Sequence, residues 1–154
     1  MRCPVQYVVC PWWPEGGDAW VHPDDAAMAR QMIPGWRVFR VAGKEGPYRV
    51  LRYGTRVLRV QPTMWVPVRG NGLEVGQWVQ IRSRLGKNRP GVGRIGEMVW
   101  NRRDRTIDYM VYRQDMLGRR KYRAEDLGRV ERMPSGKTAY AFPPLPHSAD
   151  FRHG

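Results

Sequence analysis

Turn signals recur at short intervals along most of the chain, and this spacing limits the folds that it can adopt. Segments containing glycine or proline interrupt the hydrophobic pattern about every ten residues, which is typical of short strands joined by tight turns. Between the turns, aliphatic and aromatic residues are mixed with arginine, as expected for antiparallel strands that bury one face. Only residues 23–33 place apolar side chains at helical spacing. The sequence therefore predicts a mainly β protein with one helix.

Residues 1–72 are predicted to form a small α+β module. The helix begins at Pro23, which suits a first helical position, and we interpret Asp24 and Asp25 as residues that cap it and complement its dipole. Strands are predicted over residues 5–9, 36–41, 48–53 and 56–60.

Residues 73–131 are predicted to form a second module, a small and partly open barrel of five strands. A single helical turn at 124–127 precedes the last of these strands. Residues 132–154 contain four prolines and have no hydrophobic period, which predicts a flexible tail.

Two short patterns in the second module carry a resemblance to known proteins. The run Leu-x-Val-Gly-x-x-Val-x-Ile at 73–81 and the run Tyr-x-Ala-Glu-Asp-Leu-x-x-Val at 122–130 resemble the first and last strands of SH3-like barrels, which include KOW and Tudor modules. The resemblance implies a five-stranded SH3-like β-barrel over 73–131. The segment Trp-Val-His-Pro-Asp-Asp at 20–25 is similar to small basic bacterial proteins of an uncharacterised family.

The charge balance points to a polyanionic partner. The chain carries 27 Lys and Arg residues against 14 Asp and Glu residues, a net charge of +13, and 23 of the cations are arginine. Arginine binds phosphate through a planar fork and stacks on bases, and the self-repulsion of such a charge is offset by a polyanion. We therefore predict binding to nucleic acid, with RNA favoured over DNA, or to a ribonucleoprotein.

Basic residues collect in three loops of the second module. We expect folding to bring these loops onto one rim, where the cations neutralise phosphates and read little of the base sequence. The predicted nucleic-acid-binding residues are Arg82, Arg84, Lys87, Arg89, Arg94, Arg102, Arg103, Arg105, Arg119, Arg120 and Lys121.

Large aromatic residues lie close to these loops in the sequence. Trp78, Trp100, Tyr109 and Tyr112 offer stacking faces for bases, but a barrel this small also needs large side chains in its interior. We predict that Trp78 and Tyr109 belong to the core.

An alternative function is a protein-interaction module or a small accessory subunit of a larger complex. Such a module would bind an acidic protein partner, and SH3-like barrels also act in protein–protein interactions. The adjacent Trp12 and Trp13 and the proline-containing tail favour this alternative.

The sequence offers no assembled site for catalysis, a cofactor or a metal. The pattern Gly-x-Gly-x-x-Gly at 91–96 leads into a predicted strand, whereas a dinucleotide site needs a helix there. The run Ser-Gly-Lys-Thr at 135–138 lacks the first glycine of a phosphate loop. Cys3 and Cys10 lie too far apart along a strand for a disulfide, and no histidine has ligand spacing to either cysteine. We predict a protein that is not an enzyme, with no cofactor and no metal.

No apolar run approaches the length of about 20 residues that a membrane-spanning helix requires. The first residues lack the apolar stretch of a secretory signal. We therefore expect no membrane association and a cytoplasmic location.

Overall fold

The protein contains two antiparallel five-stranded sheets and one α-helix within the part of the chain that the structure describes. The computed structural model describes residues 5–83, 86 and 88–130. The first sheet has the spatial order β4-β3-β2-β1-β5 and consists of β1 (Tyr7–Val9), β2 (Phe39–Glu45), β3 (Tyr48–Tyr53), β4 (Arg56–Val60) and β5 (Val66–Val68).

The second sheet places the last described strand, β10 (Leu127–Arg129), beside its own first strand, β6 (Trp78–Ile81). Its order is β10-β6-β7-β8-β9, and a 3₁₀ helix over Ala124–Asp126 leads into the last strand. The described strands do not close on one another, so the five-stranded barrel is not confirmed, whereas a mainly β chain with one helix is confirmed. The members are β6 (Trp78–Ile81), β7 (Gly91–Asn101), β8 (Thr106–Arg113), β9 (Met116–Leu117) and β10 (Leu127–Arg129).

The strand β7 is shared between the two sheets and joins them. Its first four residues pair with β6, and residues 98–100 then pair with residues 36–38, which lead into β2. The Val38 amide donates to the Met98 carbonyl at 2.9 Å, and the Trp100 amide donates to the Trp36 carbonyl at 2.8 Å. Backbone hydrogen bonds therefore connect the sheets directly, and one continuous group of buried hydrophobic residues spans both.

A buried carboxylate lies at this junction. The register of β7 against β8 shifts between Ile95 and Glu97, and Glu97 is only 3% exposed. The Tyr53 hydroxyl of β3 donates to the Glu97 carboxylate and accepts a hydrogen bond from the Met98 amide at 3.0 Å. Burial raises the pKa of Glu97, while the Tyr53 hydrogen bond and the nearby positive charge of Arg37 act in the opposite direction.

We expect Tyr53→Phe to lower the free energy of unfolding by about 2 kcal/mol, because it leaves a buried carboxylate and a buried amide without this hydroxyl. Urea denaturation at pH 7 measures the change. Tyr48→Phe is the matched control, because Tyr48 lies half-buried on the same strand and its hydroxyl makes no hydrogen bond to the described residues. Equal stability losses in the two variants would contradict the assigned role of Tyr53.

The helix is shorter than predicted. A 3₁₀ helix over Pro23–Asp25 precedes α1 (Ala26–Met32), which buries Ala29 and Met32 against the core. Asp25 makes no side-chain capping bond, so the capping interpretation is wrong for this residue. Its carboxylate instead accepts from the Arg59 backbone amide at 2.9 Å and from Arg59 Nε at 2.8 Å. The carboxylate therefore ties the start of the helix to β4.

We expect Asp25→Ala to destabilise the protein clearly more than Asp24→Ala at pH 7. Asp24 is the matched control, because its side chain is 79% exposed and lies 3.8 Å from the Arg59 guanidinium. The hydrogen bonds from Arg59 hold the pKa of Asp25 below its ordinary value. Asp25 therefore contributes stability above the ordinary carboxyl pKa, and this contribution is lost as the pH falls through the lowered pKa. Urea denaturation as a function of pH tests both statements.

The hairpin between β8 and β9 turns on two residues with positive φ. Gln114 has a φ of 49° and Asp115 a φ of 65°, which is the pattern of a type I′ turn. This turn favours Asn followed by Gly, because other side chains are strained in the left-handed region.

We expect the double change Gln114→Asn and Asp115→Gly to raise the free energy of unfolding by about 1 kcal/mol. Thermal and urea denaturation of the full chain measure the gain. An unchanged or lower stability would show that the native pair relieves the strain in another way.

Candidate nucleic-acid interface

The first predicted basic loop connects β6 to β7. Arg84 and Lys87 lie outside the described residues, and Arg82 and Arg89 are exposed. Asn88 anchors the loop, because its buried side-chain amide donates to the Arg82 carbonyl at 3.2 Å. The Arg82 guanidinium lies so close to Gly128 of β10 that an added Cβ there would be 2.9 Å from Nη2. Because Gly128 has no side chain, the Arg82 guanidinium can pack against the backbone of β10 at this position.

Arg113, at the end of β8, connects this loop to another predicted basic segment, residues 119–121. Its guanidinium donates to the Arg89 carbonyl, and its Nη2 lies 3.5 Å from the Tyr122 hydroxyl. The Arg120 guanidinium lies 5.8 Å from the centre of the Tyr122 ring. Two of the three predicted basic segments therefore meet around one tyrosine. We name this group of cations the Arg113 cluster: Arg89, Arg113, Arg119, Arg120 and Lys121.

The remaining predicted loop, the turn 102–105, lies at the other end of β7. Successive connections of an antiparallel sheet alternate between its two ends, so the loop before β7 and the turn after it are separated by the length of that strand. The single rim expected for all three clusters is thus replaced by two basic surfaces. In the turn, the Arg102 guanidinium lies 4.4 Å from the centre of the Trp36 ring, and Arg103 and Arg105 are exposed.

The predicted residue Arg94 belongs to neither surface. It is half-buried on β7, in register with Trp78 on β6 and Tyr112 on β8. Because Val79 and Ile81 face the core, Trp78 lies on the opposite face of the sheet. The prediction that Trp78 belongs to the core is therefore wrong. Burial lowers the pKa of Arg94.

Tyr109 is fully buried, as predicted. The burial of this phenol raises its pKa to about 12. It therefore supports the second sheet from within and offers no stacking face to a base.

Several described arginines form ion pairs, whereas most of the described residues of the predicted basic loops do not. Arg30, Arg40, Arg59 and Arg123 each bind a carboxylate, as in the contact of Arg123 Nη2 with Asp104 at 2.6 Å. In contrast, Arg113 forms no ion pair with a described acidic residue. The same is true of eight predicted residues: Arg82, Arg89, Arg102, Arg103, Arg105, Arg119, Arg120 and Lys121. The positive charge of the loops therefore remains uncompensated within the described chain.

Sequence reasoning did not include Arg113 among the candidate interface residues. Arg113 lies at the end of β8, directly before a turn, and a basic residue at such a position is a local signal for an exposed cation. The contacts of its side chain with Arg89 and Tyr122 depend on the pairing of three separate segments, which the local pattern does not reveal.

The described residues contain no group of three His, Cys, Asp or Glu side chains that could hold a metal ion. Cys10 is a buried free thiol, and burial raises its pKa to about 12, so it stays protonated near neutral pH. Among the same residues, no helix has both the length and the apolar character needed to span a membrane.

Comparison with known proteins defines the family of the chain. Residues 1–128 match the family of unknown function DUF6960, and the chain belongs to this family. No curated protein and no solved structure matches it. The match includes both described sheets as far as the first two residues of β10.

Proposed function

We propose that the protein binds nucleic acid without catalysing a reaction, and that the Arg113 cluster makes the main phosphate contacts. The observation that carries the proposal is that Arg113 and Arg120 both contact Tyr122, while Arg113 also binds the backbone of the loop that carries Arg89. Neither Arg113 nor Arg120 forms an ion pair with a described acidic residue. The proposed ligand is RNA in preference to DNA, free or in a ribonucleoprotein.

The contacts of Arg113 suit phosphate binding. One guanidinium hydrogen bond to the Arg89 carbonyl fixes the position of the side chain, and an arginine carries five N–H donors in total. The remaining donors are thus available in a fixed orientation for phosphate oxygens. Since such contacts reach the backbone of the ligand, we expect affinity with little sequence specificity.

The turn 102–105 supplies a second basic surface and a stacking element. Arg102 lies over Trp36, and the other face of its planar guanidinium can receive an unstacked base. Single-stranded RNA offers bases of this kind, which supports the preference for RNA.

We further propose that the second sheet is an SH3-like barrel and that the protein works in the cytoplasm. The 3₁₀ helix ahead of β10 and the pairing of β10 with β6 support the barrel. The buried free thiol of Cys10 supports a reducing compartment.

One observation favours the alternative, an interaction module for an acidic protein. Trp12 is 44% exposed beside a groove lined by Trp13, Arg30 and Ile33. The Arg30 guanidinium lies 6.0 Å from the centre of the Trp13 ring and also pairs with Asp18. This surface lies in the first module, so variants can separate the two functions.

The proposal predicts binding of a labelled single-stranded RNA that weakens with salt, with a log–log slope near −0.7 for each phosphate contact. Arg89→Gln and Arg120→Gln should each lower the affinity about five-fold and make the slope shallower by about 0.7. Fluorescence anisotropy over a salt series measures both quantities, with a DNA strand of the same sequence for comparison.

Arg30→Gln is the matched control, because it removes the same charge from an arginine outside the Arg113 cluster, and it should leave the affinity unchanged. No binding at low salt, or an affinity independent of salt, would refute the proposal. A protein partner that survives nuclease treatment and is lost in the Arg30→Gln variant would instead favour the alternative.

A further inference from the structure

We propose that the groove between the two sheets is a second binding site, which takes the phosphate monoester group of a nucleotide. The groove has a volume of about 490 Å³, within the range of sites for small molecules. Gly54 and Thr55 of the β3–β4 turn line one side, and residue 72, residues 74–77, Arg94 and Arg129 line the rest. None of the Arg113 cluster contributes to it, so the site goes beyond the proposed function.

The groove combines two cations with one acid that is already paired. Arg94 projects from β7 and Arg129 lies at the end of β10. The acid is Glu74, and its carboxylate forms an ion pair with Arg40, a residue outside the groove lining. An anion that enters the groove therefore meets two guanidinium groups and no uncompensated carboxylate among its lining residues.

Both arginines are positioned before a ligand arrives. Arg129 Nη2 donates to the Gly72 carbonyl at 2.8 Å. Arg94 is half-buried in the row formed with Trp78 and Tyr112, which restricts its side chain. Preorganised donors lose less conformational entropy on binding. The burial of Arg94, which also lowers its pKa, strengthens its attraction for an anion because surrounding water is reduced.

The backbone of the groove is open to close approach at Gly76. Gly54, Gly72 and Gly76 have φ values of 64°, 81° and 94°, a region that favours glycine. An added Cβ at Gly76 would meet nothing within 4 Å, so this position faces open space. Ligand atoms can therefore reach the main chain there without displacing a side chain.

The donor set fits a phosphate monoester better than a carboxylate. A monoester offers three acceptor oxygens and between one and two negative charges near neutral pH, which can engage two guanidinium groups from different sides. A carboxylate offers two oxygens and one charge, which a single guanidinium satisfies. Thr55, Val75 and Gln77 line the space beside the arginines, where the esterified group would lie.

The first test is a titration of the ¹⁵N-labelled full chain with adenosine 5′-monophosphate, and with adenosine as the control. We expect the nucleotide to shift the amide signals of Gly54, Thr55, Gly72 and Gly76, and adenosine to shift none of them. No shifts at millimolar nucleotide, or equal shifts with adenosine, would overturn the proposal. This result needs no variant, so it stands even if a substitution impairs folding.

The second test compares variants by isothermal titration calorimetry with the same nucleotide. Arg94→Gln and Arg129→Gln should each weaken binding about ten-fold, as expected for the loss of a charged hydrogen-bonding partner. Arg30→Gln is the matched control, because it removes the same charge from an arginine that belongs neither to the groove lining nor to the Arg113 cluster, and it should leave nucleotide binding unchanged. An effect of Arg30→Gln equal to that of Arg94→Gln would overturn this site.

The phosphate monoester has two sources, a free nucleotide or the 5′ end of a nucleic acid strand. Oligonucleotides with a 5′-phosphate and with a 5′-hydroxyl distinguish them. A gain in affinity from the 5′-phosphate that is lost in Arg94→Gln identifies strand ends, and no gain identifies free nucleotides. RNA binding that depends on Arg120, with no nucleotide binding at all, would refute this site and leave the proposed function intact.

Discussion

The exchange of hydrogen-bonding partners along β7 is the constraint on which the rest of the structure depends. The strand leaves β6 after residue 94 and pairs with residues 36–38 from residue 98 onward. Between these two partners the register shifts, and Glu97 is buried where the Tyr53 hydroxyl can reach it. Because a buried carboxylate requires such a hydrogen bond, the position of the first sheet on the second is specified closely.

Other acidic residues also form contacts between separate parts of the chain. Asp25 ties the helix to β4, Glu74 binds Arg40, and Asp104 binds Arg123, each pair joining parts of the chain far apart in sequence. These three carboxylates therefore connect separate segments of the chain. The loops of the second sheet retain an excess of arginine, which is the physical basis of the proposed binding to a polyanion.

Local patterns in the sequence predicted the local structure well. Strand positions, the helix and the turn ahead of the last strand depend on residues close together in the chain, which periodicity and turn residues report. The predicted loops include exposed arginines, but their arrangement depends on tertiary pairing. Nothing local indicated that Arg113 reaches Arg89 or that Asp25 binds Arg59. The orientation of Trp78 did have a local signal, because the apolar residues Val79 and Ile81 flank a polar position along β6 and place Trp78 on the other face.

The late position of β7 in the chain has a consequence for synthesis on the ribosome. Residues 36–38 emerge early, yet the backbone groups that they pair with belong to residues 98–100. At ordinary translation speeds the intervening stretch takes roughly 3–12 s to make. During that interval the backbone groups of residues 36–38 lack their partners. The nascent first sheet therefore has an unpaired edge, to which other extended chains can bind. Folding of the amino-terminal half is therefore completed only when the carboxy-terminal half has been delivered.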